Sequence, residues 1–119
     1  MDSLQDPQYT VLKNDAELLT FPTNHDASMV LVKAHWCGAC KDLEQRHLPG
    51  IKETLYVNGV PLGIADFKDL SPQMQTNKDL LPSFPSLILF TSRGAHKEHY
   101  RGDRSAPVLM DWIHRRLQQ

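Results

Sequence analysis

Residues Val30 to Gln45 read VLVKAHWCGACKDLEQ: an apolar run ends at Trp36 and opens into two cysteines three positions apart. Met29-Val30-Leu31-Val32 is continuously apolar rather than alternating, the pattern of a strand covered on both faces inside a sheet flanked by helices. Such a strand is central, and the residues after it emerge at one end of the sheet. After Cys37 the composition is helical, with Cys40, Leu43 and His47 spaced to share a face. The stretch therefore predicts a strand that delivers Cys37 to the first turn of a helix, where unpaired backbone N–H groups and the helix dipole favour negative charge on a thiol.

These two cysteines are the only ones in the chain. A C-x-x-C pair is not the spread framework that staples small secreted domains, so the spacing points to redox or metal chemistry. The chain has 119 residues, 40% of them apolar, and that is one domain with enough apolar material for a single core. A net charge of -1, with both signs mixed along the chain, argues against a nucleic-acid footprint. No apolar run approaches the roughly 20 residues of a membrane helix, and MDSLQDPQYT lacks the pattern of a secretion signal. If Met1 is the natural start the expected compartment is the cytoplasm; the alternative is a periplasmic or secretory-pathway domain expressed without its signal.

Residues 1–7 read as a loose lead-in and residues 8–119 as one domain. A first strand is expected over Gln8–Leu12, then a helix over Asp15–Phe21 capped by Asn14 and stopped by Pro22, with Thr23–Ser28 as a loop. The helix after Cys37 runs to Leu48, Pro49-Gly50 interrupts it, and a second piece over Ile51–Val57 continues in a new direction. Asn58-Gly59 is a turn, Val60–Phe67 a strand, Pro72–Leu80 a helix and Leu81–Pro85 irregular. Ser86–Phe90 and Ala95–Tyr100 are strands joined by a turn at Arg93-Gly94, the second an edge strand by its polar residues. Ser105–Gln118 closes the chain as an amphipathic helix. The order βαβαβαββα is α/β, with a central mixed sheet flanked by helices.

On these residues the chain resembles the thioredoxin superfamily. Trp36-Cys37-Gly38-Ala39-Cys40-Lys41 follows a strand, Asp66 ends the next strand, Phe84-Pro85-Ser86 precedes another, and Tyr100-Arg101-Gly102 leads the final helix. The run Cys40-Lys41-Asp42-Leu43-Glu44 is similar to the C-terminal thioredoxin-like domain of DsbD and its relatives. Tyr100-x-Gly102 with the closing Trp112-Ile113 is similar to protein disulfide isomerase domains. The resemblance implies the thioredoxin fold, a redox-active Cys37–Cys40 disulfide with no other cofactor, and a cis Pro85 that presents the Phe84 backbone to a substrate strand.

It also implies roles. Cys37 is the nucleophile, because a thiolate attacks a disulfide, and C-x-x-C sites bring a thiol pKa to roughly 3.5 to 7. Cys40 is the resolving thiol. Many relatives keep a buried acid six residues before the nucleophile, but that position is Leu31 here. Glu44, one helical turn after Cys40, is the candidate proton acceptor, with Lys33 the weaker one; the competing reading of Glu44 is a solvated surface carboxylate. Trp36, Gly38, Ala39, Phe84, Pro85 and Gly102 are the expected substrate-binding residues. Ala39 cannot donate to the thiolate as a His there would, which leans the reading toward a reductant or balanced exchanger.

Six histidines raise the question of a metal, but the paired spacing of a zinc site is absent, so none is expected and His35 is read as tuning the field at Cys37. The expected function is a thiol-disulfide oxidoreductase that reduces or exchanges protein disulfides through a mixed disulfide. Its partners are disulfide-containing proteins and an upstream donor such as a thioredoxin reductase or a dithiol protein, with no nucleic acid and a monomeric state. The rivals are a disulfide oxidase or isomerase, a noncatalytic binding module using Phe84-Pro85, and a dimer sharing a metal through its thiols.

Overall fold

The computed structural model describes residues 8–118. The expected lead-in over residues 1–7 lies outside them. Strand β1 (Thr10–Leu12) is followed by helix α1 (Asp15–Thr20), which Asn14 caps by accepting the Glu17 N–H at 2.9 Å. Pro22 does not end the helical path at once: a 3₁₀ turn continues over Phe21–Asn24 before β2 (Ala27–Lys33) begins. Then come α2 (Gly38–Asp42), a π turn (Leu43–His47), α3 (Leu48–Val57), β3 (Leu62–Asp66), a 3₁₀ turn (Phe67–Asp69), α4 (Pro72–Gln75), β4 (Ser86–Thr91), β5 (His96–Tyr100) and α5 (Ala106–Leu117).

The five strands among the described residues form one mixed sheet in the order β1-β3-β2-β4-β5. β2 lies in the middle, parallel to β3 and antiparallel to β4, and β5 is an edge, as its polar residues predicted. Alternation along β2 divides the core. Met29 and Leu31 pack with Leu43, Ile51, Leu55, Leu109 and Ile113 on one face, while Val30 and Val32 pack with Leu12, Leu18, Leu70 and Met74 on the other. Each fully buried Leu or Ile contributes roughly 2 kcal/mol of transfer free energy, so a strand apolar on both faces is held at the centre. The sheet and its flanking helices have the expected α/β order.

Two helical expectations need correction. Pro49-Gly50 does not interrupt the helix, because Pro49 sits in the first turn of α3, where its missing N–H has no intrahelical use. The adjustment comes one turn earlier: the Leu48 N–H reaches back to the Leu43 carbonyl, five residues away, and this widening makes room for the proline ring. Helix α4 stops at Gln75 rather than Leu80. The Thr76 N–H still reaches the Pro72 carbonyl at 3.2 Å, but the Asn77 N–H bonds to Met74 only three residues back and Asn77 Oδ1 takes the Leu80 N–H at 3.1 Å, so the helical ladder ends there.

Arg116 fastens α5 to the sheet edge, pairing with Glu98 at 2.9 Å and lying 4.2 Å from the Trp112 ring centroid. No helix among the described residues is long and apolar enough to cross a membrane.

Candidate active site

Beyond β2 the chain turns through Ala34-His35-Trp36, and the Cys37 N–H donates to the Ala34 carbonyl at 3.1 Å. Cys37 is the N-cap of α2, with extended backbone, and its carbonyl accepts the first helical bond from the Lys41 N–H at 3.2 Å. Its Sγ accepts the Cys40 N–H at 3.1 Å. A sulfur thus occupies the place of the usual Ser or Asp cap oxygen, aimed at by an N–H that would otherwise have no partner.

The two thiols, both unpaired as free cysteines, sit in unlike surroundings. Cys37 keeps 7% of its surface exposed, while Cys40 has none. Burial, with the Cys37 sulfur beside it, pushes the Cys40 thiol up to about 12, and the Glu44 carboxylate adds in the same direction against an opposing backbone hydrogen bond from Ala34. Cys40 is therefore a neutral thiol at ordinary pH.

Glu44 lies in the π turn beyond α2, and its Oε2 is 2.6 Å from Lys33 Nζ at the end of β2. The two residues considered separately as proton acceptors thus form one part-buried ion pair. Leu31, on the same face of β2 two residues earlier, is fully buried against Leu43 and Ile51, where an acid would be desolvated.

Two aromatic rings pack on the cysteines and Trp36 packs on both of them. Trp36, 56% exposed, packs edge-to-face on Phe67 at 5.5 Å and on Phe84 at 5.4 Å, and Phe67 meets Phe84 at 5.2 Å. Phe67 and Phe84 also pack on the cluster of Ala34, Cys37 and Cys40. Phe67 escaped the sequence reading because it was placed at the end of a strand; it belongs instead to the 3₁₀ turn that begins where Asp66 Oδ1 takes the Lys68 N–H at 3.0 Å. The apolar residue next to a strand-ending Asp was the only available signal.

The Phe84–Pro85 peptide bond is cis, and the next residue, Ser86, pairs with Val32 of β2, so Pro85 is carried to the cysteine end of the sheet. Gly38 and Ala39 are exposed, and a Cβ on Gly38 would meet nothing within 4 Å. Gly102 has an internal reason for its identity: a Cβ there would lie 2.8 Å from the Tyr100 hydroxyl. His35, His96 and His114 are exposed, His25 packs on Phe21 with ring centroids 4.9 Å apart, and His99 Nε2 lies 2.8 Å from the Leu80 carbonyl. No group of three or more His, Cys, Asp or Glu side chains that could hold a metal is found among the described residues.

No family model matches the chain. Among curated proteins it is 26% identical to a protein disulfide-isomerase of Zea mays over 95 residues, which is 78% of this chain and 18% of that protein. Among solved structures, the J-Trx1 fragment of ERdj5 superposes with a TM-score of 0.74 at 25% identity, covering 96% of this chain and 54% of that one. Thioredoxin from Trypanosoma brucei brucei superposes with a TM-score of 0.71 at 16% identity over 100% of this chain and 99% of that one, a likeness of fold. The chain thus spans about a fifth of the curated relative and half of the ERdj5 fragment. Its neighbours are thioredoxins and thioredoxin-like domains of the protein disulfide-isomerase kind, its Cys37–Cys40 pair fits a C-x-x-C motif, and the chain has the thioredoxin fold.

Proposed function

We propose that the chain is a thiol-disulfide oxidoreductase that reduces or exchanges protein disulfides. The observation that carries this is the division of the two thiols: Cys37 Sγ at the helix cap receives an N–H, whereas Cys40 is buried and held as a thiol. The likeness to a protein disulfide-isomerase supports the same chemistry.

Cys37, as thiolate, attacks one sulfur of a substrate disulfide; a Cys37–substrate S–S bond forms and the other substrate sulfur leaves with the electron pair and takes up a proton. Glu44 then accepts the Cys40 proton, and Cys40 attacks Cys37 Sγ. The Cys37–Cys40 bond forms and the second substrate thiol is released. The substrate gains two electrons and the protein is oxidised by two, to be restored by an upstream dithiol donor.

Trp36, Phe84 and Pro85 line the approach to Cys37, and the exposed Gly38 and Ala39 leave room for a substrate backbone. With Ala39 between the cysteines, no side chain there donates to the Cys37 sulfur to favour the reduced protein, so we read the direction as reducing or balanced rather than strongly oxidising.

Insulin reduction with a dithiol as electron source tests the activity. Cys40→Ser should accumulate mixed disulfides with substrate proteins; retention of the same partners without covalent linkage would instead support a noncatalytic binding module. The reduction potential decides direction, and a value near that of strong disulfide donors would overturn the reducing reading.

A further inference from the structure

The chain has six arginines, and four of them lie against carboxylates: Arg46 on Asp42, Arg93 on Asp26, Arg115 on Asp111 and Arg116 on Glu98. Arg101 and Arg104 have no carboxylate within ion-pair distance among the described residues. Both line one pocket of about 150 Å³, together with Pro85, Ser86, Leu87, His99 and Tyr100. Arg104 Nε is shielded from solvent and has no hydrogen-bond partner among the described residues, although a buried guanidinium N–H without an acceptor is costly.

Groups able to neutralise the pocket are committed elsewhere. Asp103 Oδ1 takes the Ser105 N–H at 2.7 Å and the Asp103 carbonyl takes the Tyr100 hydroxyl. His99 directs Nε2 to the Leu80 carbonyl, which leaves recognition to the two guanidinium groups. The pocket shares Pro85 with the cysteine site, because the residue before it, Phe84, packs on Cys37 and Cys40. It is below the several hundred Å³ of a typical small-molecule site, and fits a side chain better than a whole ligand. The larger cavity, about 300 Å³ between Tyr9, Phe21, His25 and Tyr56, shares no residue with the cysteine site.

Resting on the exchange reading above, we propose that this pocket binds a carboxylate of the substrate, an Asp or Glu side chain in the segment that lies along Phe84–Pro85, and so makes acidic disulfide segments preferred substrates. A planar carboxylate matches the fork of a guanidinium, and the two arginines that line the pocket supply N–H donors and positive charge to hold it. Arg101, more exposed, adds to the attraction and to its salt dependence.

The test uses the full chain and a set of disulfide peptides in which each residue flanking the half-cystine is in turn Glu or Gln. At one or more positions kcat/KM should favour Glu by about tenfold, the fold-change of a single charge-assisted hydrogen bond. The preference should shrink at roughly 1 M salt and approach parity in Arg104→Gln and Arg101→Gln. Equal rates for every Glu and Gln pair, with all peptides reduced, would overturn the pocket while leaving the exchange reading in place. If no peptide is reduced, the exchange reading fails and takes the inference with it. Oxidised glutathione and its diester form a second arm: a carboxylate preference seen there and in none of the peptides would overturn the protein-segment assignment. Because the wild-type ratio decides on its own, a variant that fails to fold does not remove the test.

Discussion

Lys33 Nζ lies 2.6 Å from Glu44 Oε2, joining the last residue of the central strand to the turn after Cys40. The pair is only part-buried, with side chains 28% and 35% exposed, so its contribution to stability is that of a surface bridge, about 0–1 kcal/mol. Its importance lies in position. A lysine at the strand end holds a carboxylate in the neighbourhood of a thiol that has no acid at Leu31 to serve it. Glu44→Gln should slow closure of the Cys37–Cys40 disulfide by roughly a hundredfold near neutral pH, the scale of a positioned base. Lys33→Met should slow it only a few-fold. Stopped-flow measurement of mixed-disulfide resolution against pH reads both; an unchanged rate and pH profile in Glu44→Gln would remove Glu44 from the mechanism.

The thiol of Cys40 also makes the reduced protein sensitive to alkali. Its folded pKa, about 12, is raised above the ordinary value of 9.0, so the neutral thiol is favoured by folding. Stability from this group is complete below pH 9 and is lost as pH rises from 9 toward 12, because the unfolded chain releases the proton first. Urea unfolding of the reduced protein at pH 8 and at pH 10.5 should show a larger loss for wild type than for Cys40→Ala. Using the difference between the two proteins removes the part due to Tyr100, whose phenol is likewise raised by burial. Equal losses would contradict the burial of Cys40 as the cause.

Much of this arrangement is legible in the residues themselves. Met29–Val32 is apolar at every position, as a strand covered on both faces requires; Leu109, Trp112 and Ile113 recur at helical spacing and pack on the core with Met110, whereas Val108 of the same expected stripe is exposed. Both signals are local. The departures arise where side chains compete with the backbone or where distant segments meet. Asn77 ends α4 early by taking the Leu80 N–H on its side chain, and Pro49 shifts the helix adjustment into the preceding turn. Lys33 meets Glu44 where the turn after α2 comes back beside the end of β2, and Phe67 meets Trp36 and Phe84 only through the sheet order β3-β2-β4, which no local periodicity encodes.

Asp15 shows the opposite pH behaviour. Its Oδ2 accepts the Ser71 hydroxyl at 2.5 Å and its Oδ1 the Ser71 N–H at 2.9 Å, fastening α1 to the cap of α4. These bonds hold the Asp15 carboxyl below its ordinary value of 3.8. The stability they supply is present above that value and lost as pH falls through and below it. Asp15→Asn should be less stable than wild type at pH 6 and should lose less on acidification to pH 3, as read by chemical denaturation at both pH values. A parallel loss in the two proteins would show that the contact does not discriminate between the charge states.

The rings of Phe67 and Phe84, with Trp36 packed on both, bear most directly on reactivity, because the proposed nucleophile Cys37 must be reached and is only 7% exposed beside them. Each edge-to-face pair adds about 0.5–1.5 kcal/mol beyond area burial, and Phe67 takes part in two of the three. Phe67→Ala removes both of its pairs and opens the side of the site, with no change to the cap geometry of Cys37. Stability should fall by about 2–4 kcal/mol, the two ring pairs together with the apolar burial of a partly buried ring, while alkylation of Cys37 in the reduced protein should accelerate several-fold. Phe67→Leu, which refills much of the volume, should restore most of the stability and part of the shielding. Denaturation midpoints and timed iodoacetamide labelling followed by mass spectrometry separate the two effects. If labelling of Cys37 stays at the wild-type rate in Phe67→Ala although stability falls, the rings are packing alone and Cys37 is limited by its own cap geometry.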